Sequence, residues 1–544
     1  MIKNKGRKLA VLALSTMLVA AVALTGCGDK GKESTKTEDK SIERLKSKEE
    51  VRIAVSSAGD NFDPCMGWGQ YGNPLMQSKL MSINSGKIEN DLATEYKVSD
   101  DGLSWTFKIR DDVKFHDGKK LTAKDIAFTF NKTKSLSSPI DLTNMQEAVA
   151  VDDTTVEFKM TAPFSCFLNT TATLGIVPEH AYKDTNEYTK KPIGSGPLKF
   201  VQYNDKQQLI LERNDDYYGK KMNFKKVVLL NMTSDAAYAA LKSGDVDVAI
   251  TNEAAAQKKL DGFKVVEAET YDYRVISMPS IKEGTAETGE KIGNPVTSDK
   301  AIRKALAVGI DRKNLIKNVL YGYGEPIFDT FSKFEWGIGE ETKNFKDADI
   351  EAAKKILDEA GWVEKNGVRE KDGVKAEFTL MYGASDLGRQ AIANGFTEEA
   401  KKLGIIVKPE GLDWDEIEKR GKSDSCVLGG GVNNPMKIAT LYSSKFAKQI
   451  GWNNLGVYEN SKTDEHIKKA IEATTQEAAY AEWKKALWDG ENGGSILGDT
   501  SYIPICYVKH LFFVREGLDI VDPGIQAHDH GLAITWNVTN WDYK

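Results

Sequence analysis

The stretch DGLSWTFKIRDDVKFHDG, residues 101–118, is the part of the sequence that decides the fold. Its apolar residues alternate with polar ones on both sides of a short polar break, at Trp105, Phe107 and Ile109 and then at Val113 and Phe115. Alternation with a period of two predicts a strand that buries one face. His116-Asp117-Gly118 then predicts a tight turn, so His116 is interpreted as a turn residue.

A helix is predicted directly after this turn. Thr122 is a suitable N-cap residue, and Asp125, three residues later, can complete a capping box. Further helices are predicted at Asp235–Ser243, Asp299–Leu320, Asp349–Ala360, Gly388–Leu403 and His466–Trp488, and strands at Val227–Leu230, Glu377–Tyr382 and Gly404–Lys408. Strands that alternate with helices in this way predict an α/β protein whose sheets are covered by helices.

The N-terminus has the pattern of an export signal. Basic residues up to Lys8 precede an apolar run from Leu9 to Leu24, which is typical of a secretory signal and too short for a comfortable membrane span. The run ends in Leu24-Thr25-Gly26-Cys27, which resembles the bacterial lipobox, so residues 1–26 are expected to be removed and Cys27 to carry lipid. The alternative is an uncleaved anchor helix.

Residues 27–50 are expected to join the lipid to the folded body. From Gly28 to about Glu50 the chain is rich in Asp, Lys, Glu, Ser and Thr, and such a composition cannot bury enough apolar surface to offset its ordering entropy. The segment is therefore interpreted as a disordered tether on the outer face of the cytoplasmic membrane.

Composition excludes one large class of function. The chain is 40% hydrophobic and 28% charged, with a net charge of −6 and no block of Lys and Arg. Binding to phosphate backbones needs a concentrated basic surface, so nucleic acid is not expected as a partner. The body after residue 50 is long enough for two or three domains.

The remaining cysteines do not predict a zinc site. Cys65, Cys166, Cys426 and Cys506 are scattered and lack the paired spacing of zinc ligands. In an exported chain they could form two disulfides by any of three pairings, or all stay reduced. The sequence leaves this choice open.

A series of motifs in a fixed order resembles the family 5 extracellular solute-binding proteins. The resemblance begins with Phe62-Asp63-Pro64 and the stretch 101–118. It continues through Gly194-Ser195-Gly196-Pro197, Asn214-Asp215-Asp216-Tyr217-Tyr218-Gly219, Leu241-Lys242-Ser243-Gly244-Asp245-Val246-Asp247, Ile302-Arg303-Lys304-Ala305-Leu306, Ile310-Asp311-Arg312, Ala353-Lys354-Lys355-Ile356-Leu357, Ala360-Gly361-Trp362 and Ile503-Pro504-Ile505.

The resemblance implies a two-lobed, periplasmic-binding-protein-like α/β fold of the large type II class, with mixed sheets and an extra N-terminal subdomain. Lobe I is expected to comprise residues 51–273 and 508–544 with this subdomain, and lobe II residues 274–507. The chain would cross between them near Tyr271–Ile276 and return near Pro504–Leu511. A ligand with higher affinity for the closed form would close the cleft between the lobes.

The function implied is capture of a small solute for an ABC importer, whose permease subunits and ATPases would be the partners. No cofactor is expected, and the protein is expected to be a monomer. A secreted hydrolase is the catalytic alternative, but Gly429-Gly430-Gly431 is not followed by the rest of a phosphate loop and no Gly-x-Ser-x-Gly elbow occurs. The chain is therefore predicted not to be an enzyme.

Two loops and two tryptophan segments supply the candidate ligand-binding residues. The resemblance places the loop after Asp63-Pro64 in the cleft, which makes Trp68, Gln70 and Tyr71 candidates. It places a second loop at 429–435, where Asn434-Pro435 stands in place of the family's frequent Asp-Pro. Asn433 and Asn434 are versatile hydrogen-bonding groups, and the further candidates are Trp414, Trp452 and Asn453. Loop, core or interlobe packing is the alternative role of these tryptophans.

Three classes of ligand stay open: a peptide, a nickel or metallophore complex, and a sugar or another solute. A peptide needs backbone-type donors and acceptors with aromatic walls. His528-Asp529-His530 favours a metal, since residues two apart lie on one face of an extended segment. A lipoprotein chaperone or signalling receptor on the same scaffold is the alternative of another class.

Overall fold

The computed structural model describes residues 40–544, apart from residues 60, 72–73, 287, 432 and 529–531. The expected signal peptide, Cys27 and His530 lie outside the described residues. Within the described residues, no helix is both long and apolar enough to cross a membrane.

The predicted tether is corrected at its C-terminal end. Residues 40–46 are helical, and Leu45 is fully buried in the core beneath the first sheet. Arg44 donates two hydrogen bonds of 2.9 Å to the buried carboxylate of Asp247. The buried Leu45 and the ion pair between Arg44 and Asp247 hold this polar segment on the body, which its composition did not indicate.

Seven strands of the described chain form the first sheet. From one edge to the other they are Phe263–Ala268, His510–Arg515, Val248–Thr251, Glu50–Val55, Lys226–Asn231, Gln208–Arg213 and Leu198–Asn204. Glu50–Val55 runs parallel to both of its neighbours, and the remaining pairs are antiparallel. The sheet is therefore mixed, as expected.

Six described strands form the second sheet, in the order Gly324–Pro326, Tyr502–Val508, Tyr273–Ser277, Ser425–Gly430, Glu377–Gly383 and Ile406–Leu412. The helices packed on it are Lys300–Gly309, Arg312–Val319, Ile350–Glu359 and Leu387–Lys401. The chain leaves the first sheet after Ala268 and joins the second at Tyr273, and it returns between Val508 and His510. The domain limits predicted from the sequence stay a prediction.

The stretch 101–118 belongs to a third sheet, which contains four described strands: Ala93–Val98, Ser104–Ile109, Thr155–Met160 and Met145–Ala150. The strand ends at Ile109, but Val113 and Phe115 are still buried. The helix Ala123–Lys134 follows with the predicted capping box between Thr122 and Asp125, whose carboxylate accepts from the Thr122 N–H at 2.9 Å. The buried residues of this sheet and helix belong to one core that also contains Trp336, Ile438 and Trp483 from the second half of the chain.

Two predicted helices are wrong as single helices. Asp299–Leu320 is interrupted at Ile310, which is extended, and Asp311 caps a new helix. The region His466–Trp488 is likewise divided into Ser461–Glu472 and Gln476–Leu487, because Thr475 caps the second helix. In both places a capping side chain offers the backbone N–H groups a better partner than a continuous helix would.

The other described elements are short. The strands are Met81–Asn84, Lys87–Asn90, Gly284–Thr285, Lys291–Ile292, Val363–Lys365, Val368–Lys371, Val374–Lys375, Leu518–Asp519 and Asp542–Tyr543. The α-helices are Phe167–Thr171, Thr185–Lys190, Ser234–Ser243, Glu253–Ala256, Gly339–Thr342, Trp414–Arg420 and Met436–Tyr442, and the 3-10 helices are Pro64–Met66, Ser444–Phe446 and Leu532–Asn540. Cys65, Cys166, Cys426 and Cys506 are buried free thiols.

Candidate functional site

A cavity of about 320 Å³ lies beside the crossing between the two large sheets. Its walls come from distant parts of the chain: the loop at Gln70 and Tyr71, residues 77–91, the loop at Asn433 and Asn434, and residues 525–536. This volume is at the lower end of the range for small-molecule sites. The cavity is the candidate ligand site.

The hairpin Met81–Asn90 covers one side of the cavity and is held at its tip. Asn433 Nδ2 donates to the carbonyl of Gly86 at 2.8 Å, and the Asn433 carbonyl accepts from Asn169 at 2.8 Å. Gly86 has a φ of +85°, and a side chain there would collide with the Tyr271 hydroxyl. Glycine is therefore required at this tip, both for the backbone conformation and for the close approach.

Aromatic side chains form much of the wall. Tyr71, Tyr217, Tyr271 and Trp536 line the cavity. Tyr271 stacks on Phe334 with ring centroids 4.4 Å apart. Burial raises the pKa of both Tyr217 and Tyr271 to about 12, so both hydroxyls are neutral and can donate or accept a hydrogen bond.

A buried lysine, Lys79, and a half-buried aspartate, Asp91, lie in another part of the wall. The backbone N–H of Lys79 donates to the Asp91 carboxylate at 3.2 Å, and the Tyr218 hydroxyl donates a short hydrogen bond to the same carboxylate. Burial lowers the pKa of Lys79 to about 8, although Asp91 opposes this shift, and burial raises the pKa of Asp91. Lys79 and Asp91 carry opposite charges, and Glu89 adds a further carboxylate to the lining of the cavity.

Two glutamines lie at the buried side of the cavity. Gln77 Nε2 donates to the Tyr188 hydroxyl at 3.0 Å, and Gln526 Oε1 lies 2.8 Å from His510 Nδ1. Both side chains line the cavity. Together with Gln70, Asn433 and Asn434 they supply the walls with several uncharged amides, which both donate and accept hydrogen bonds.

A network of charges centred on Asp272 fixes the crossing next to the cavity. Arg274 forms a short ion pair with the Asp272 carboxylate, and His528 Nδ1 and His510 Nε2 lie 3.0 and 3.3 Å from it. Although burial opposes its ionisation, Arg274 and the two histidines hold the pKa of Asp272 well below its usual range. His528 therefore faces a structural carboxylate.

The sequence-predicted tryptophans lie apart from this cavity. Trp68 packs edge-on against Phe62, and its Nε1 donates to the Pro74 carbonyl at 3.0 Å, which secures its own loop. Trp414 and Trp452 contact each other at 5.7 Å between centroids, and the Arg389 guanidinium lies 5.2 Å from the Trp414 ring. None of these three tryptophans is among the described residues that line the cavity.

The other sequence-predicted residues also fall into two groups, those at the cavity and those away from it. Gln70, Tyr71, Asn433 and Asn434 are brought together at the cavity. Asn434 Oδ1 also accepts from the Met436 N–H at 3.0 Å, in the turn that leads into the following helix. Asn453 is exposed, and its carbonyl accepts from Lys422 at 2.8 Å.

Sequence reasoning missed several residues of the cavity: Gln77, Lys79, Asp91, Tyr217, Tyr271, Gln526 and Trp536. A signal existed for Tyr217, which lies within a motif that identified the fold, and for Tyr271, which lies at the predicted crossing. The glutamines carried no local signal. In the described part of the chain, no group of three or more His, Cys, Asp or Glu side chains is arranged to hold a metal ion.

A two-lobed arrangement of mixed sheets, with an aromatic and amide-rich cavity at the crossing, is that of a solute-binding protein. The family model of the bacterial extracellular solute-binding proteins, family 5, matches residues 87–452. The chain belongs to this family, which confirms the resemblance and the expected fold class. The proteins of this family bind solutes for ABC importers and are not enzymes, and the same holds for this chain.

Individual relatives cover almost the whole chain. Protein XP55 of Streptomyces lividans is 32% identical and covers 87% of this chain and 86% of its own. The oligopeptide-binding protein AppA of Bacillus subtilis is 29% identical, with 95% of this chain and 96% of AppA covered.

Solved structures show the same fold. NikZ from Campylobacter jejuni, in complex with Ni(L-His), has a TM-score of 0.74 at 23% identity and covers 91% of this chain and 99% of its own. AppA from Bacillus subtilis, in complex with a nonapeptide, has a TM-score of 0.67 at 24% identity with the same coverage. At this level of identity the two structures define the fold and leave the ligand of this chain open.

Proposed function

We propose that this protein captures a short peptide or a peptide-like solute in the cavity and delivers it to an ABC importer. The observation that carries the proposal is the cavity wall, which combines neutral tyrosine hydroxyls with several side-chain amides. Peptide units are uncharged donors and acceptors, and they match such a wall. The name of the relative AppA, an oligopeptide-binding protein, supports the same class of ligand.

The second part of the proposal concerns where the protein works. The family is extracellular, and residues 1–27 have the pattern of a lipoprotein signal that ends in Cys27. A lipid on Cys27 would hold the protein on the outer face of the cytoplasmic membrane, close to the importer. Metabolic labelling with a fatty-acid analogue tests this: the wild type should be labelled and membrane-bound, and the C27S variant should be neither.

Native mass spectrometry of the gently purified, exported protein tests the ligand. Denaturation of the complex should release one peptide class or a ladder of peptides. Stoichiometric nickel with a chelator would contradict the peptide assignment and direct attention to His528 and His530. A released sugar would contradict the assignment as well.

A further inference from the structure

The charges in the lining of the cavity do not balance. Lys79, Glu89 and Asp91 are the charged residues among the described ones that line it. Lys79 and Asp91 carry opposite charges and are in contact, since the Lys79 N–H donates to the Asp91 carboxylate. Glu89 is a second carboxylate, and the lining holds no second cation for it. A cavity with a surplus of negative charge favours a ligand that carries a positive charge.

Asp91 has little capacity left for a charged group of the ligand, because each of its oxygens already accepts a hydrogen bond. One oxygen accepts from the Tyr218 hydroxyl, and the other accepts from the Lys79 N–H at 3.2 Å. The Tyr218 ring is in turn covered by the Arg110 guanidinium, which lies 4.4 Å from the ring centroid. Asp91 therefore belongs to the packing of the wall.

Glu89 differs from Asp91 in that it is exposed, and its carboxylate forms no hydrogen bond or ion pair with the described part of the chain. It pairs with Ser82 across the hairpin, and side chains that pair across two strands project from the same face. Ser82 and Asn84, on this face, also line the cavity. Ile83 and Ile88, on the opposite face, pack against the hydrophobic core. The hairpin therefore presents Glu89 to the cavity.

The loop across the cavity from the hairpin supplies no competing carboxylate. Residues 429–435 read Gly-Gly-Gly-Val-Asn-Asn-Pro and contain no acidic residue. From this loop Asn433 holds the tip of the hairpin through the carbonyl of Gly86 at 2.8 Å. Transfer of an ammonium group from water into a cavity without a counter-charge is costly. Glu89 is thus the group in the lining that can compensate a cation.

We propose that Glu89 determines the specificity of the cavity by binding a cationic ammonium group of the ligand. The Glu89 carboxylate accepts charge-assisted hydrogen bonds from this group. A peptide offers such a group at its free amino terminus or on a lysine side chain. Because Glu89 is open to water, the pair strengthens binding by about fivefold, the upper end for an exposed ion pair. This inference rests on the proposed peptide-binding function.

A neighbouring cavity supplies a matched control residue. It has a volume of about 630 Å³, and Glu89 lines both cavities. Glu335 lines the second cavity and is not among the residues that line the first. It is likewise exposed, and its carboxylate likewise forms no ion pair with the described residues. The E335Q variant therefore removes a comparable charge and leaves the lining of the first cavity unchanged.

Competition between matched peptides tests the inference on the full-length exported protein, after removal of any co-purified ligand. The first pool contains short synthetic peptides without lysine, each with a free and with an acetylated amino terminus. The second pool contains only acetylated peptides, each with either lysine or norleucine at one position. Mass spectrometry of the bound fraction measures the preference. The wild type should enrich the charged members of at least one pool about fivefold.

The E89Q variant should lose this preference, and E335Q should keep it. Both variants change exposed side chains, so both should unfold at the same denaturant concentration as the wild type. A preference in the first pool assigns Glu89 to the amino terminus of the peptide, and a preference in the second assigns it to a lysine side chain.

Equal binding of charged and uncharged members by the wild type overturns the inference and leaves the proposed function standing. A preference that survives in E89Q also overturns it, as does a preference that E335Q loses to the same extent. If no peptide of either pool binds, the proposed function fails and the inference with it.

Discussion

The cavity and the tryptophan pair at the rim of the second sheet contain the same kinds of residue, yet they differ in how those residues are held. Tyr71 at the cavity mouth is 50% exposed, but several other cavity side chains are buried or half-buried and fixed by partners from distant segments, as Asn433 is by Gly86 and Asn169. Trp414 and Trp452 are 38% and 41% exposed and contact mainly each other and Arg389. Convergence of fixed polar groups, more than the presence of tryptophan, marks the site.

The largest effect is expected at Asp272, which lies between the two regions. The D272N variant leaves Arg274 and two histidines without their carboxylate, and breaking a buried ion pair in this way costs about 3–5 kcal/mol. Denaturant unfolding measures the loss. The surface control D519N breaks an exposed pair with Lys544 and should cost less than about 1 kcal/mol; equal losses in both variants would refute the special role of the crossing.

The stability of the protein is expected to depend on pH through the loop that ends in the cavity residue Pro197. His116 accepts from the Gly194 N–H through Nδ1 and contacts the Gly196 carbonyl through Nε2, and burial lowers its pKa from 6.5 to about 4. The contribution of the neutral His116 ring to the free energy of unfolding is therefore complete above pH 6.5. It is lost as the pH falls towards 4, by up to about 3 kcal/mol.

The H116Q variant stays neutral and should lose less stability over this range than the wild type. Urea unfolding at a series of pH values measures the difference between the two proteins. If the free energies of unfolding of the wild type and of H116Q fall in parallel from pH 7 to pH 4, the His116 ring does not control the loop.

A smaller effect is expected at the hairpin tip. The N433A variant removes the hydrogen bond to Gly86 and should weaken ligand binding about fivefold, the effect of one hydrogen bond of about 1 kcal/mol. Calorimetry with the ligand identified by mass spectrometry measures this. The exposed Asn453 supplies the control: N453A should bind as the wild type does, and an equal loss there would contradict the assignment of the site.

The smallest effect on binding is expected at the tryptophan pair. The W414A variant loses an edge-on aromatic contact and a cation–π contact, and its free energy of unfolding should fall by about 1–2 kcal/mol. Its affinity for the cavity ligand should not change. A loss of affinity greater than that of N433A would place the ligand at the rim and reverse the comparison between the two regions.

Much of the fold could be predicted because it rests on local patterns. The alternation at Trp105 and Phe107 gave a strand, and Thr122 with Asp125 gave a helix start, since both depend on residues close in sequence. The division of Asp299–Leu320 was missed because the cap at Asp311 was not recognised as stronger than the apolar periodicity.

The site could be predicted only where a family loop pointed to it. Asn433 and Tyr71 were found through motifs, whereas Gln77 and Gln526 lie in segments with no periodicity or motif of their own. Trp68 was equally prominent in the sequence, but its indole donates to the Pro74 carbonyl and packs against Phe62. Which atoms of a side chain are left unpaired depends on all of its neighbours, and these are not local.

The sequence by itself determined the family, the α/β class and the export signal pattern, because each is written in residues that are neighbours or follow a fixed order. Only the tertiary structure decided which side chains face one cavity. Gln77 and Gln526 are far apart in sequence, yet both line it, and their side-chain amides are held by Tyr188 and His510. Hydrogen-bond satisfaction is a property of the packed interior, which no local pattern specifies.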